Sequence, residues 1–167
     1  NGVRQWGTYY GGSGDDQGRE ISCDAAGNVF VTGQTKSTAG IATSGAHQQT
    51  FAGLLDAFVV KFNSNGVRQW GTYYGGSVED RGEGISCDGN GNVFVVGVTE
   101  SETGIATSGA HQEIFAGGYI DAFVVKFNSA AVRQWGTYYG GSGEARGAGV
   151  FRGGAATVFV LGAQVLG

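Results

Sequence analysis

The residues in this chain whose types and spacing suit chemistry fall into three small groups. The first is a pair of adjacent acidic doublets, Asp15-Asp16 and Glu79-Asp80, each three or so residues after a Gly-Gly-Ser turn. Carboxylates placed this way can ligate a hard cation such as calcium, which makes Asp16 and Asp80 the candidate metal ligands. The same oxygens can instead accept backbone N–H bonds and fix a turn between two structural units, and both readings stay open at the level of sequence. Nearby, Asp88-Gly89-Asn90-Gly91-Asn92 has the look of the start of a calcium loop, but the twelfth position is Thr99 where that loop needs a Glu. A hairpin turn with its Gly and Asn residues in left-handed conformations accounts for it better.

The second group is His47 and His111, each followed by Gln at matching places in long polar stretches. They are the candidate ligand-binding residues, because loops held by a rigid scaffold are where binding groups concentrate. Neither has a second His or Cys at metal-ligand spacing, and no nucleophile elbow is present, so no catalytic residue is nominated and the chain is not expected to be an enzyme. The third group is Cys23 and Cys87. They occupy equivalent positions about one packed-sheet spacing, ~10 Å, apart, beyond disulfide reach, and so read as two buried free thiols.

What positions all of these is repetition. Val-Arg-Gln-Trp-Gly-Thr-Tyr-Tyr-Gly-Gly-Ser occurs three times, and its tryptophans, Trp6, Trp70 and Trp135, recur at intervals of 64 and 65 residues. That is the length of a small multi-stranded unit rather than of a helical repeat. Thirty-four glycines and no proline, with apolar alternation persisting between them, describe short strands joined by tight turns. Each full unit reads as four strands: one ending in Ile-Ser-Cys-Asp, then Val-Phe-Val, then Ala-Phe-Val-Val-Lys-Phe, then the Trp-containing run. Between the second and third lies a longer loop, residues 34–55, and the single inserted residue of the second unit falls in its counterpart, where insertions cost least.

Phe58, Val60 and Phe62 alternate with Ala57 and Val59, so both faces of the third strand are apolar. Trp6, Thr8 and Tyr10 alternate with Gln5, Gly7 and Tyr9 in the same way, which points to core packing rather than to a platform for stacking sugars. Units with two apolar faces must be sandwiched by neighbours, as propeller blades are. The fold expected is therefore all-β: consecutive four-stranded antiparallel propeller blades, about 2.6 repeats in all. Residues 1–13 are expected to be the closing strand of a preceding blade, 14–77 blade 1, 78–142 blade 2, and 143–167 an incomplete, divergent third blade. The third copy has Ala145 where the others have Asp16 and Asp80, and residues 153–157 replace the Asp-to-Asn turn. Eleven strands are expected. Since propellers close with about 4 to 8 blades, this array is expected to be part of a longer protein, a ring completed by copies of itself, or an open stack joined by edge pairing.

The three motifs together, Asp-Ala-Phe-Val-Val-Lys-Phe-Asn, Trp-Gly-Thr-Tyr-Tyr-Gly-Gly-Ser, and Ile-Ser-Cys-Asp with Gly-Asn-Val-Phe-Val, resemble the bacterial SBBP β-propeller repeat. The resemblance implies a secreted or cell-surface protein in which the repeat serves as a structural or interaction scaffold. Carbohydrate or calcium binding, and self-assembly, are the alternatives. No cofactor is expected apart from that calcium. Expected partners are proteins or copies of the chain at exposed edge strands, with carbohydrate as a further candidate. The formal net charge of −4, with cationic residues scattered rather than clustered, argues against nucleic acid. No apolar run approaches the ~20 residues of a membrane helix, so membrane insertion is not expected. Any signal peptide would lie upstream of Asn1.

Overall fold

The computed structural model describes residues 2–152 and 158–164, and every regular element among them is a β-strand. The first sheet comprises β1 (Asp16–Cys23), β2 (Val29–Thr35), β3 (Asp56–Phe62) and β4 (Arg68–Tyr74), antiparallel and in chain order. The second repeats it with β5 (Asp80–Cys87), β6 (Val93–Thr99), β7 (Asp121–Phe127) and β8 (Arg133–Tyr139). A third, two-stranded sheet pairs β9 (Ala145–Arg152) with β10 (Val158–Gln164). The all-β blade architecture expected from the repeats is what the chain adopts, with the sheets not closed into a ring.

Several details differ from expectation. The innermost strands begin at Asp16 and Asp80, so the polar residues after the Gly-Gly-Ser turn belong to the strand rather than to a connection. Each of these strands carries a register shift, between Gly18 and Glu20 and between Gly82 and Gly84, which lets one residue bulge out without breaking the pairing. Ten strands are described, not eleven. Residues 3–10 form no strand, because among the described residues no third strand of a preceding blade lies beside them to complete a ladder. Residues 153–157, read from the sequence as a degraded turn, lie outside the described residues.

The hairpin turns also differ from the left-handed Gly-and-Asn pattern. Gly27, Gly66 and Gly91 have positive φ, whereas none of the neighbouring asparagines does. Asp24 and Asp88 make these side-chain turns unnecessary, since the Asp88 carboxylate accepts from Asn90 N, Asn92 N and Asn92 Nδ2 at 2.6–2.9 Å. At the equivalent of Gly66 the second blade has Ala131, at φ 64°, the one non-glycine residue described in the left-handed region. A side chain there costs on the order of 1 kcal/mol, and its burial against the core between the blades offsets that cost.

The blades stack face to face. β5 packs against β1, β2 and β3 on one side and against β9 on the other. The largest core lies between the first two sheets, where Phe30, Val59, Trp70 and Tyr74 of blade 1 meet Ile85, Val95, Phe123 and Phe127 of blade 2. The long β2–β3 loop is irregular as expected, yet anchored: Ile41 is fully buried. It runs beside β4, with Thr43 N donating to Gly71 O at 2.9 Å and Tyr73 N to Gln48 O at 3.1 Å. The outer edge of the blade is thereby covered by its own loop, and β8 is covered in the same way by Thr107 and Gln112. Among the described residues, β10 has a strand neighbour on one edge and residues 3–10 have none.

Candidate functional site

Asp16 and Asp80 occupy the first position of the innermost strand in each blade, and their carboxylates do the same job in both. Asp80 Oδ2 accepts from Gly76 N at 2.8 Å and from Ser101 Oγ at 2.9 Å, while Oδ1 accepts from Thr99 Oγ1. Asp16 Oδ2 accepts from Gly12 N and Ser37 Oγ, both at 2.8 Å, and Oδ1 from Thr35 Oγ1. Each carboxylate thus ties the Gly-Gly-Ser turn to the end of the second strand. The candidate calcium ligands are brought together with hydroxyl and amide donors rather than with further carboxylates, and no cluster of three or more His, Cys, Asp or Glu side chains at metal-binding distance occurs among the described residues.

Sequence reasoning missed the partners in this network. The signal was present in the Thr-x-Ser triplet, Thr35 to Ser37 and Thr99 to Ser101, repeated at the same separation from the Asp. It also missed Asp56, which opens β3, is fully buried, and lies close enough to Asp80 for the two charges to interact. Asp56 accepts from Ala52 N, Gly53 N and Gln48 Nε2 at 2.9–3.0 Å. Burial pushes its carboxyl up to about 6 against the pull of those amides, and the Asp80 charge adds to the rise. Burial also pushes Asp80 up. In the second blade the inserted residue at Gly117-Gly118 breaks this pattern. Asp121 keeps one bond, from Ala116 N at 2.7 Å, and its Oδ1 is buried without a partner.

His47 and His111 lie in the long loops, far from the carboxylates' donor network in role if not in chain. The His47 ring packs between Tyr74 of its own blade, at 6.1 Å, and Phe127 of the next, at 5.8 Å. Burial, helped by the Arg133 charge, lowers it to about 4, so it is held as a neutral ring. His111 stacks on Tyr139 at 6.1 Å and stays exposed. Neither is brought against an acid, a nucleophile or the other. The thiols are both free, but only Cys87 is buried, with its Sγ 3.5 Å from Ser22 Oγ; Cys23 is exposed because, among the described residues, no blade covers the face of β1 turned away from β5.

A polar cleft of about 180 Å³ opens where the two blades meet on the side of the innermost strands. Asp15, Gln17, Gln34, Lys36 and Leu55 line it from blade 1, and Glu79 and Arg81 from blade 2. Leu55 and Glu79 form a parallel β-bridge that links the sheets, and Arg81 is ion-paired to Glu79. Gln34 Nε2 donates to Gln17 Oε1 at 3.4 Å and its Oε1 accepts from Arg19, which leaves the Asp15 carboxylate and Lys36 ammonium free for an incoming group among the described residues.

The family model described as SBBP, a beta-propeller repeat, matches residues 5–39 and 69–102. Over those two stretches the chain matches the SBBP β-propeller repeat. The two matches begin in the Trp-containing run and continue through the second strand of the blade, so one SBBP match spans the junction between consecutive blades rather than a single sheet. Each encloses the Asp-Thr-Ser network in full, Asp16 to Ser37 in one and Asp80 to Ser101 in the other. No curated protein matches the chain.

Proposed function

We propose that these SBBP repeats form a non-catalytic interaction scaffold of an exported or surface-attached bacterial protein. The observation that carries this reading is that the carboxylates which open the first strand and the hairpin turn are used internally, and in the same way, in both blades. Asp16 and Asp80 hold turns, Asp24 and Asp88 hold hairpins, and His47 fills the seam between blades. A catalytic centre needs one unit to depart from the others in a convergent group of acid, base and nucleophile. Protease treatment of intact cells of the bacterium that makes the protein tests the compartment: release of peptides from this chain is expected, and its confinement to the cytosolic fraction contradicts the reading.

A second reading is favoured by the cleft between the blades. Two carboxylates, two amides and two cations around about 180 Å³ make a set of donors and acceptors suited to sugar hydroxyls. Calorimetric titration with neutral and amino-substituted oligosaccharides should then show binding that Asp15→Ala abolishes. Heat of binding that the substitution leaves unchanged removes the cleft from consideration.

A further inference from the structure

In the first two copies of the Trp-containing run, the Trp and the second Tyr each have a defined receptor in the blade that follows. Tyr10 sits against Phe58 and Phe62 of β3, with ring centroids 5.2 and 5.9 Å apart, and its hydroxyl donates to Ile41 O at 2.8 Å. Tyr74 repeats this one blade on, against Phe123 and Phe127 of β7 at 5.1 and 5.8 Å, with its hydroxyl donating to Ile105 O at 2.8 Å. The tryptophans follow the same rule. Trp6 Nε1 donates to Ser64 O and Trp70 Nε1 to Ser129 O, both at 3.0 Å. The receptor for the tyrosine ring and the indole N–H is therefore one stretch, Asp-Ala-Phe-Val-Val-Lys-Phe-Asn-Ser, present letter for letter at residues 56–64 and 121–129, while the tyrosine hydroxyl is taken by the long loop of the same blade.

Tyr139 and Trp135 are the third pair, and among the described residues nothing plays that part for them. Tyr139 is 59% exposed where Tyr74 is fully buried, and Trp135 is 37% exposed against 7% for Trp70. No acceptor for the Trp135 indole N–H occurs among the described residues. In both complete blades the receptor strand pairs antiparallel with the second strand. In the third blade that position is the free edge of β10, whose only described partner is β9.

We propose that the surface made by Trp135, Tyr139 and the free edge of β10 binds an extended peptide segment of the β3 and β7 type: two phenylalanines four residues apart, followed by Asn-Ser, added antiparallel to β10. The backbone edge supplies hydrogen bonds, and the two phenylalanines cover Tyr139 as Phe123 and Phe127 cover Tyr74. The Ser carbonyl takes the Trp135 N–H. A second copy of the chain cannot donate this segment from its folded state, because β3 and β7 are central strands paired on both edges. The occupant is thus a strand that is not yet part of a sheet. This deepens the interaction-module reading by naming a partner, and it stands or falls independently of the compartment the protein occupies.

The test is titration of the chain with the synthetic peptide Asp-Ala-Phe-Val-Val-Lys-Phe-Asn-Ser, which contains no Trp, while following tryptophan emission and the melting temperature. Saturable one-to-one binding is expected, with a blue shift as Trp135 is shielded and a rise in melting temperature. The peptide with both phenylalanines replaced by alanine should not bind. Tyr139→Ala should melt like the parent, since the ring is exposed, but bind at least about tenfold more weakly. Absence of saturable binding overturns the proposal. So does binding that Tyr139→Ala leaves unchanged, which would place the peptide at another edge such as residues 3–10.

Discussion

β1 and β5 read Asp-Gln-Gly-Arg-Glu-Ile-Ser-Cys and Asp-Arg-Gly-Glu-Gly-Ile-Ser-Cys, adopt the same length, register and bulge, and pair with nearly identical second strands. Their surroundings differ completely. Ile85 is 3% exposed and Ile21 is 59% exposed; β5 is buried through most of its length and β1 is open along most of its own. The same contrast runs from β4 to β8, where Trp70 and Tyr74 are enclosed and Trp135 and Tyr139 are not. Local sequence sets the strand, the turn and the carboxylate network of each blade. Burial is set by the neighbour. In a stacked array the stability of a unit is its own term plus the terms at its two faces, so equal substitutions in equivalent strands should have unequal costs.

The largest inequality is expected at the tryptophans. Trp70→Ala removes a ring packed into the seam and its bond to Ser129 O, at a cost of about 4 kcal/mol, while Trp135→Ala should cost about 1 kcal/mol. Equal urea midpoints for the two variants would break the comparison. Asp80→Ala comes next. It strips three buried donors of their acceptor and should cost about 3 kcal/mol, against about 2 kcal/mol for Asp16→Ala, where the exposed Gly12 N–H can turn to water but Thr35 and Ser37 are as buried as their counterparts. Comparable losses would show that the network stabilises each blade alone rather than the junction.

Much of this was legible in the sequence. Three identical runs at near-constant spacing, the second and third preceded by a third strand with apolar residues on both faces, contain the blade and its strand order. The Asp-Gly-Asn turns and the irregular loop could be read for the same reason, since their determinants lie within a few residues. What could not be read depends on contacts between distant parts. Residues 3–10 have the composition of a strand, but a strand exists only beside a partner, and none lies beside them among the described residues. Cys23 and Cys87 are indistinguishable as letters and differ only in whether a sheet covers them. The roles of Asp16 and Asp80 were open because the hydroxyls that occupy them arrive from 19 and 21 residues away. The orphaned Asp121 oxygen follows from one inserted residue whose effect is geometric, not compositional.

His47 extends the comparison to pH. Its folded value, about 4, lies below the ordinary 6.5, so the protein binds fewer protons folded than unfolded in that interval. The stability this contributes is fully present above pH 6.5 and is lost as pH falls through 4. His47→Leu should flatten that part of a stability–pH curve, and an unchanged slope would mean that His47 is not held by the seam. Smallest of all is the expected effect of a calcium chelator. Because the Asp16 and Asp80 oxygens already accept protein donors, the melting temperature should not move; a fall on chelation would restore both residues as calcium ligands.

The most direct measurement of the central claim is the reactivity of the two cysteines toward a chromogenic thiol reagent, since it perturbs neither blade beforehand. If burial is conferred by the neighbouring blade, one thiol, Cys23, reacts at once under native conditions, and Cys87 reacts only when denaturant opens the seam between β1 and β5. Two thiols reacting together, at the same rate in the native protein, would contradict it.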